Sequence, residues 1–110
     1  QKIGENTYFV YSNITNLGKL QFIGGDAYFD FSKVTDLGEL QKIGENTYFV
    51  YSNITNLGKL QSIGRNAYFN FSKVTDLGNI EYIGGKIIAT GSNSYLKEEY
   101  ERRINGKSLK

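Results

Sequence analysis

Laid under itself at a shift of twenty residues, the chain repeats one pattern of apolar and polar positions. Within the stretch Gln21 to Leu40, Ala27, Phe29 and Phe31 alternate with Tyr28 and Asp30, the period-two signature of a strand. Val34, Leu37, Leu40 and Ile43 then follow at a spacing of three, which predicts a tight, extended or 3₁₀-like return path. Gly38 sits inside that return, and Gly24 and Gly25 close the coil where a turn needs unusual backbone angles. The pattern opens again at Gln1, Gln41 and Gln61, and a fifth copy starts as EYIGGKIIATGS before breaking down. A short fixed period predicts a solenoid, in which each coil buries its apolar face against its neighbours. One short strand per coil, always in the same sense, predicts a parallel sheet along the solenoid axis.

The expected division is a repeat solenoid over residues 1–92, in coils 1–20, 21–40, 41–60, 61–80 and a partial 81–92, followed by a terminal helix and tail over 93–110. In SYLKEEYERRING, Leu96, Tyr100 and Ile104 lie four apart on one helical face. Ser94 is the expected N-cap and Asn105-Gly106 the expected stop, with Glu98 and Glu99 early and Arg102 and Arg103 late. This helix reads as a cap over the last coil rather than as a docking helix for another protein.

AxFxxSxVxxLxxL, from Ala27 to Leu40, resembles the leucine-rich repeat pattern LxxLxLxxNxL at the twenty-residue length of the short bacterial type. The resemblance runs over residues 1 to 92. Thr7, Ala27, Thr47 and Ala67 stand where the first strand leucine is expected, with Phe9, Phe29, Phe49 and Phe69 two residues on to fill the space. Ser12, Ser32, Ser52, Ser72 and Ser92 replace the usual Asn, so a hydroxyl ladder would satisfy the turn backbone. The IGG turn is also similar to receptor L domains, a related solenoid of cell surfaces. The resemblance implies an α/β-class but mostly β, right-handed solenoid with a curved parallel sheet. It also implies a recognition surface, no chemistry, and a slight preference for the cell surface or secretion over the cytoplasm.

Residues 1–40 and 41–80 differ only at Phe22/Ser62, Gly25/Arg65, Asp26/Asn66, Asp30/Asn70, Glu39/Asn79 and Leu40/Ile80, so the duplicated unit is a pair of coils. Equivalent residues would then lie one strand spacing apart, about 4.8 Å, where identical charges repel. Lys19, Glu39 and Lys59 alternate in sign along one row. Asn16, Asp36, Asn56 and Asp76 separate acids by amides, and Gln1, Gln21, Gln41 and Gln61 are placed for an amide ladder.

Composition narrows function mainly by exclusion. The 110 residues carry a net charge of +2 from thirteen basic and eleven acidic side chains, too mixed a balance to point to nucleic acid or an anionic membrane. No apolar run approaches the ~18 residues of a membrane-spanning helix, so no membrane insertion is expected. With no His and no Cys, the common bases, nucleophiles and zinc ligands are missing. Asp26 and Asp30 are near enough to share a cation, but their counterparts are Asn66 and Asn70, so no acidic site repeats. No enzyme activity, cofactor or metal is expected. The chain opens at Gln1 in mid-pattern without a leading cap, as a piece of a longer repeat protein would. Its first coil is therefore expected to meet further repeats, a partner or another copy.

The candidate site is the row Tyr8, Tyr28, Tyr48 and Tyr68, which alternation points away from the Phe row and which the resemblance places on a concave face. Val10, Asp30, Val50 and Asn70 accompany it two residues later, and Asp26 two residues earlier with Asn6, Asn46 and Asn66. Stacked rings would stabilise the sheet by about 0.2–1 kcal/mol per pair. Exposed tyrosines also suit protein hot spots and sugar stacking. Strict alternation turns a second row, Tyr11, Phe31, Tyr51 and Phe71, inward beside Phe29, and at least partial burial is expected; Gly91 ends that row. The leading functional expectation is a protein partner at the tyrosine face. A carbohydrate-binding adhesin and a passive spacer are the alternatives.

Overall fold

The computed structural model describes residues 2–108. Ten two-residue strands follow in chain order: β1 (Lys2–Ile3), β2 (Thr7–Tyr8), β3 (Phe22–Ile23), β4 (Ala27–Tyr28), β5 (Lys42–Ile43), β6 (Thr47–Tyr48), β7 (Ser62–Ile63), β8 (Ala67–Tyr68), β9 (Tyr82–Ile83) and β10 (Ile87–Ile88). They form two parallel five-stranded sheets, in the orders β1-β3-β5-β7-β9 and β10-β8-β6-β4-β2. Every strand pairs with its equivalent one coil away, as Ile23 with Ile43 and Tyr28 with Tyr48. The solenoid expected from the twenty-residue period is thus present.

One strand per coil was the expectation, and the first sheet, which adds another, departs from it. Its strands are the last residues of the supposed return path, whose spacing of three resembles no strand. Coils of the same backbone stacked in register pair wherever they are extended, whatever their side-chain period. The return pairs as well, through bridges Asn16–Asp36 and Asn56–Asp76. Backbone bonds such as Glu39 N–H to Gly18 O at 2.9 Å and Gln41 N–H to Gln21 O at 2.8 Å extend the stacking around the coil. Gln21, Gln41 and Gln61 therefore stack through their backbone, while Gln1 lies outside the described residues.

Columns of like side chains fill the interior. Phe9, Phe29, Phe49 and Phe69 stack with ring centroids 5.0, 5.4 and 5.2 Å apart. Ile23, Val34, Leu37 and Leu40 head four further buried columns, repeated in the next coil by Ile43, Ile54, Leu57 and Leu60. Burying each such side chain stabilises by about 1.5–3 kcal/mol, and the core is continuous because each column touches the next coil. Between the two sheets the backbones themselves come close. A Cβ at Gly44 would run into the carbonyl of Gly24, and one at Gly64 into that of Gly44. The IGG glycine is thus a requirement of coil stacking.

Polar columns behave largely as the pairing of coils suggests. Lys59 meets Glu39 at 2.9 Å, and the amides of Asn16 and Asn56 donate to Asp36 and Asp76 at 3.2 and 3.3 Å. Ser12, Ser32 and Ser72 accept the N–H two residues on at 3.3–3.4 Å, a local turn bond rather than a ladder between coils. The side chain of Ser92 lies outside the described residues.

After a 3₁₀ turn at Gly91–Asn93, helix α1 (Tyr95–Ser108) packs across the fifth coil. Leu96 is buried and Tyr100 half-buried against the core. The Tyr100 hydroxyl accepts the N–H of Ile83 at 2.8 Å and donates to its carbonyl at 3.3 Å, so it satisfies the edge strand β9. Arg103 donates to the carbonyls of Gly78 and Ile80, each at 3.0 Å. Two expectations fail here. Ser94 is not an N-cap, since its hydroxyl donates back to Gly91 O at 3.0 Å. Asn105-Gly106 does not stop the helix, which absorbs the ~1 kcal/mol cost of an interior glycine and runs to Ser108. Among the described residues no helix is long and apolar enough to cross a membrane.

Candidate functional site

The tyrosine row is a stack on the outer face of the second sheet. Ring centroids of Tyr8, Tyr28, Tyr48 and Tyr68 are 4.6, 4.6 and 4.7 Å apart, and adjacent planes lie within 8° of parallel. Parallel in-register pairing produces this spacing, because Tyr28 sits directly between Tyr8 and Tyr48. Tyr8 is exposed, and the other three are half-buried by their neighbours. Each inner ring has both faces covered by other rings, and only its edge and hydroxyl remain to the outside.

The companion residues divide by role. Asp26 belongs to a turn ladder running coil to coil. Asn6 Oδ1 accepts the N–H of Asp26 at 2.7 Å, and Asp26 Oδ1 accepts that of Asn46 at 2.8 Å. Asn46 and Asn66 continue the ladder to the N–H groups of Asn66 and Lys86 at 3.0 and 2.8 Å. Only Asp26 Oδ2 is left for other work, and it accepts the Tyr28 hydroxyl at 3.3 Å. Val10, Asp30, Val50 and Asn70 form the next column, all half-buried. Oδ1 of Asp30 and of Asn70 is buried without a hydrogen-bond partner among the described residues.

Burial sets the electrostatics of this face. It is the main cause that pushes the Tyr28 hydroxyl up to about 12, with the nearby Asp26 carboxylate adding to it. Burial likewise raises Tyr48, followed by the neighbouring Tyr68 and the Asp26 charge. The Asp30 carboxyl is raised by burial and held back in part by a backbone hydrogen bond.

The second aromatic row is where alternation misleads. Tyr11, Phe31, Tyr51 and Phe71 are 81, 52, 49 and 64 % exposed, not tucked beside Phe29. In each coil the N–H of the serine bonds back to the carbonyl of the core Phe, as Ser32 to Phe29 at 3.2 Å. The aromatic residue is third in that four-residue turn and takes φ of +58°, +53°, +52° and +55° in the four coils. Alternation holds only for extended backbone; one left-handed residue throws its side chain out. The four rings still stack, with centroids 6.2, 5.0 and 5.0 Å apart.

A shallow groove of about 500 Å³ crosses the outer face of the first sheet, with Phe22 and Tyr82 at its ends and Lys42 and Ser62 between. Sequence reasoning overlooked it because this column is read as turn. Its signal was variability, since Lys2, Phe22, Lys42, Ser62 and Tyr82 differ in an otherwise repetitive unit. Among the described residues no cluster of three or more acidic side chains forms a metal site. No family model matches the chain, and neither curated proteins nor solved structures yield a match.

Proposed function

We propose that the chain is a non-catalytic binding or scaffolding module of the leucine-rich-repeat kind that recognises a protein partner through its tyrosine face. The observation that carries this reading is the unbroken Tyr8–Tyr28–Tyr48–Tyr68 stack, with ring edges and hydroxyls outward. Such a strip combines stiff apolar area with hydrogen-bonding groups, as protein hot spots do. Val10 and Val50 extend its apolar area, while Asp30, Asn70 and the Asp26 oxygen that accepts the Tyr28 hydroxyl add polar groups.

Carbohydrate binding is the second reading, and the stack weighs against it. Sugars dock on ring faces, and the inner faces are spent on one another. A passive spacer is the third, supported by the near identity of the two coil pairs. Affinity capture with the native chain and with a Tyr28→Ser, Tyr48→Ser double variant, beside a glycan array, separates the three. A protein retained by the native chain and lost by the variant, with its circular dichroism intact, supports the proposal. Retention at full affinity by the variant removes the tyrosines from the binding surface. Glycan signal without protein capture favours the adhesin, and neither signal favours the spacer.

A further inference from the structure

The exposed aromatic row ends at a glycine that explains what the backbone wants. Gly91 stands one coil beyond Phe71 and has φ +63°, against +52° to +58° at the four aromatic positions. Glycine takes this conformation freely, whereas a bulky side chain there is strained. The fold's own requirement at this position is thus met by glycine. Four coils nevertheless carry Tyr or Phe, in strain and in water. At about 200 Å² per ring, their exposure leaves roughly 500 Å² of largely apolar surface in one strip, a size at which such patches are often functional.

We propose that this strip is the contact between two copies of the chain, lying parallel about a two-fold axis that runs along the solenoid. Ring faces are again spent on stacking, so the strip offers edges repeating once per coil. A second copy presents the same repeat and can match it along its whole length. The rings of two copies together bury roughly 1,000 Å², about the threshold of a stable interface, before the flanking side chains are added. Charge selects the orientation. The column before the rings holds Asp30 and the column after them holds Lys33 and Lys73. Asp30 has no ion pair among the described residues, and the Lys33 ammonium reaches only the Asn13 amide oxygen, at 3.2 Å. Rotation about the solenoid axis brings Asp30 of one copy to Lys33 of the other, twice by symmetry. An antiparallel arrangement would instead set Asp30 against the Val50 coil.

Sedimentation velocity of the full chain over a concentration series tests this. The native chain should dimerise, and Phe31→Gly with Tyr51→Gly should raise the dissociation constant about thirtyfold or more while leaving circular dichroism unchanged. Glycine is the chosen replacement because Gly91, at the equivalent position of the fifth coil, takes the same positive φ. Tyr28→Ser with Tyr48→Ser should leave dimerisation as it is, which separates this contact from the proposed partner face. Lys33→Glu should weaken association about threefold to tenfold. Asp30→Asn should weaken it in the native background yet strengthen it in the Lys33→Glu background, where it removes a like-charge contact. A monomer up to about 1 mM overturns the proposal, as does a dimer indifferent to loss of the rings. A ring-dependent dimer in which Asp30→Asn acts with the same sign in both backgrounds overturns the parallel arrangement.

Discussion

The hydroxyl of Tyr28 and the carboxylate of Asp26 meet at 3.3 Å, two residues apart along one coil, while the other Asp26 oxygen ties the next coil's backbone at 2.8 Å. One side chain therefore serves both the tyrosine face and the stacking of coils. The consequence for titration has a definite sign. A phenol raised from 10.0 to about 12 holds its proton more tightly in the folded chain than in the unfolded one. Its contribution is complete below the unfolded value and is lost as pH climbs through that window. Spectrophotometric titration should find Tyr28 ionising late, with Tyr48 also raised, and urea denaturation should show stability falling above about pH 10. Asp26→Asn should bring that ionisation down; an unchanged titration curve would contradict the assignment to this pair.

The two faces of the second sheet should differ sharply in cost. Phe29 and Phe49 are fully buried in the ring column, so truncating either to Ala should destabilise by about 3–5 kcal/mol. Tyr28→Ala removes a half-buried ring and should cost well under half as much. Chemical denaturation of the three variants is the measurement, and equal losses would mean that the faces are exchanged.

Asp30 makes the opposite kind of prediction. Its carboxyl is raised by burial, so the folded chain favours the protonated form, and ionisation above the unfolded value near 3.8 weakens folding. Asp30→Asn, the residue its counterpart Asn70 already holds, should raise the melting temperature of the dilute chain at neutral pH. The gain should vanish in acid. A variant equally stabilised at both pH values would show that charge is not the cause.

Two substitutions involving glycine separate crowding from strain. Gly44→Ala forces a methyl against the Gly24 carbonyl and should destabilise by about 2–4 kcal/mol. Tyr51→Gly should stay within about 1 kcal/mol of the native chain at concentrations where it is monomeric, because relief of the positive φ offsets the lost stacking. Thermal melts of the two proteins would reveal any reversal of this order.

What the sequence allowed to be read is tied to where the chain obeys a period. The columns of Phe29, Val34, Leu37, Leu40 and Ile43 stay apolar through the first four coils, so both the solenoid and the inside of it were legible from spacing. The outward turn of Phe31 was not, because alternation assumes extended backbone and nothing in an aromatic side chain announces a left-handed residue. The clue lay one coil away, where the column ends in Gly91. The first sheet was hidden for another reason. A pair such as Lys42-Ile43 has no period of its own and becomes a strand only through stacking. The tyrosine row was legible as a row, while the diversion of Asp26 into the turn ladder needed the hydrogen bonds themselves.

Because each coil sees its neighbour through the same rungs, length becomes an adjustable quantity. Inserting one further pair of coils at Leu40–Gln41 would recreate contacts already present at both of its joins. The insertion would lengthen the rod by about 10 Å, two strand spacings, and leave the helix and its bonds to Ile83 and Ile80 as they are. The molecule is in that sense a ruler graduated in forty-residue steps, and its reach can be tuned by copying without redesigning any interface.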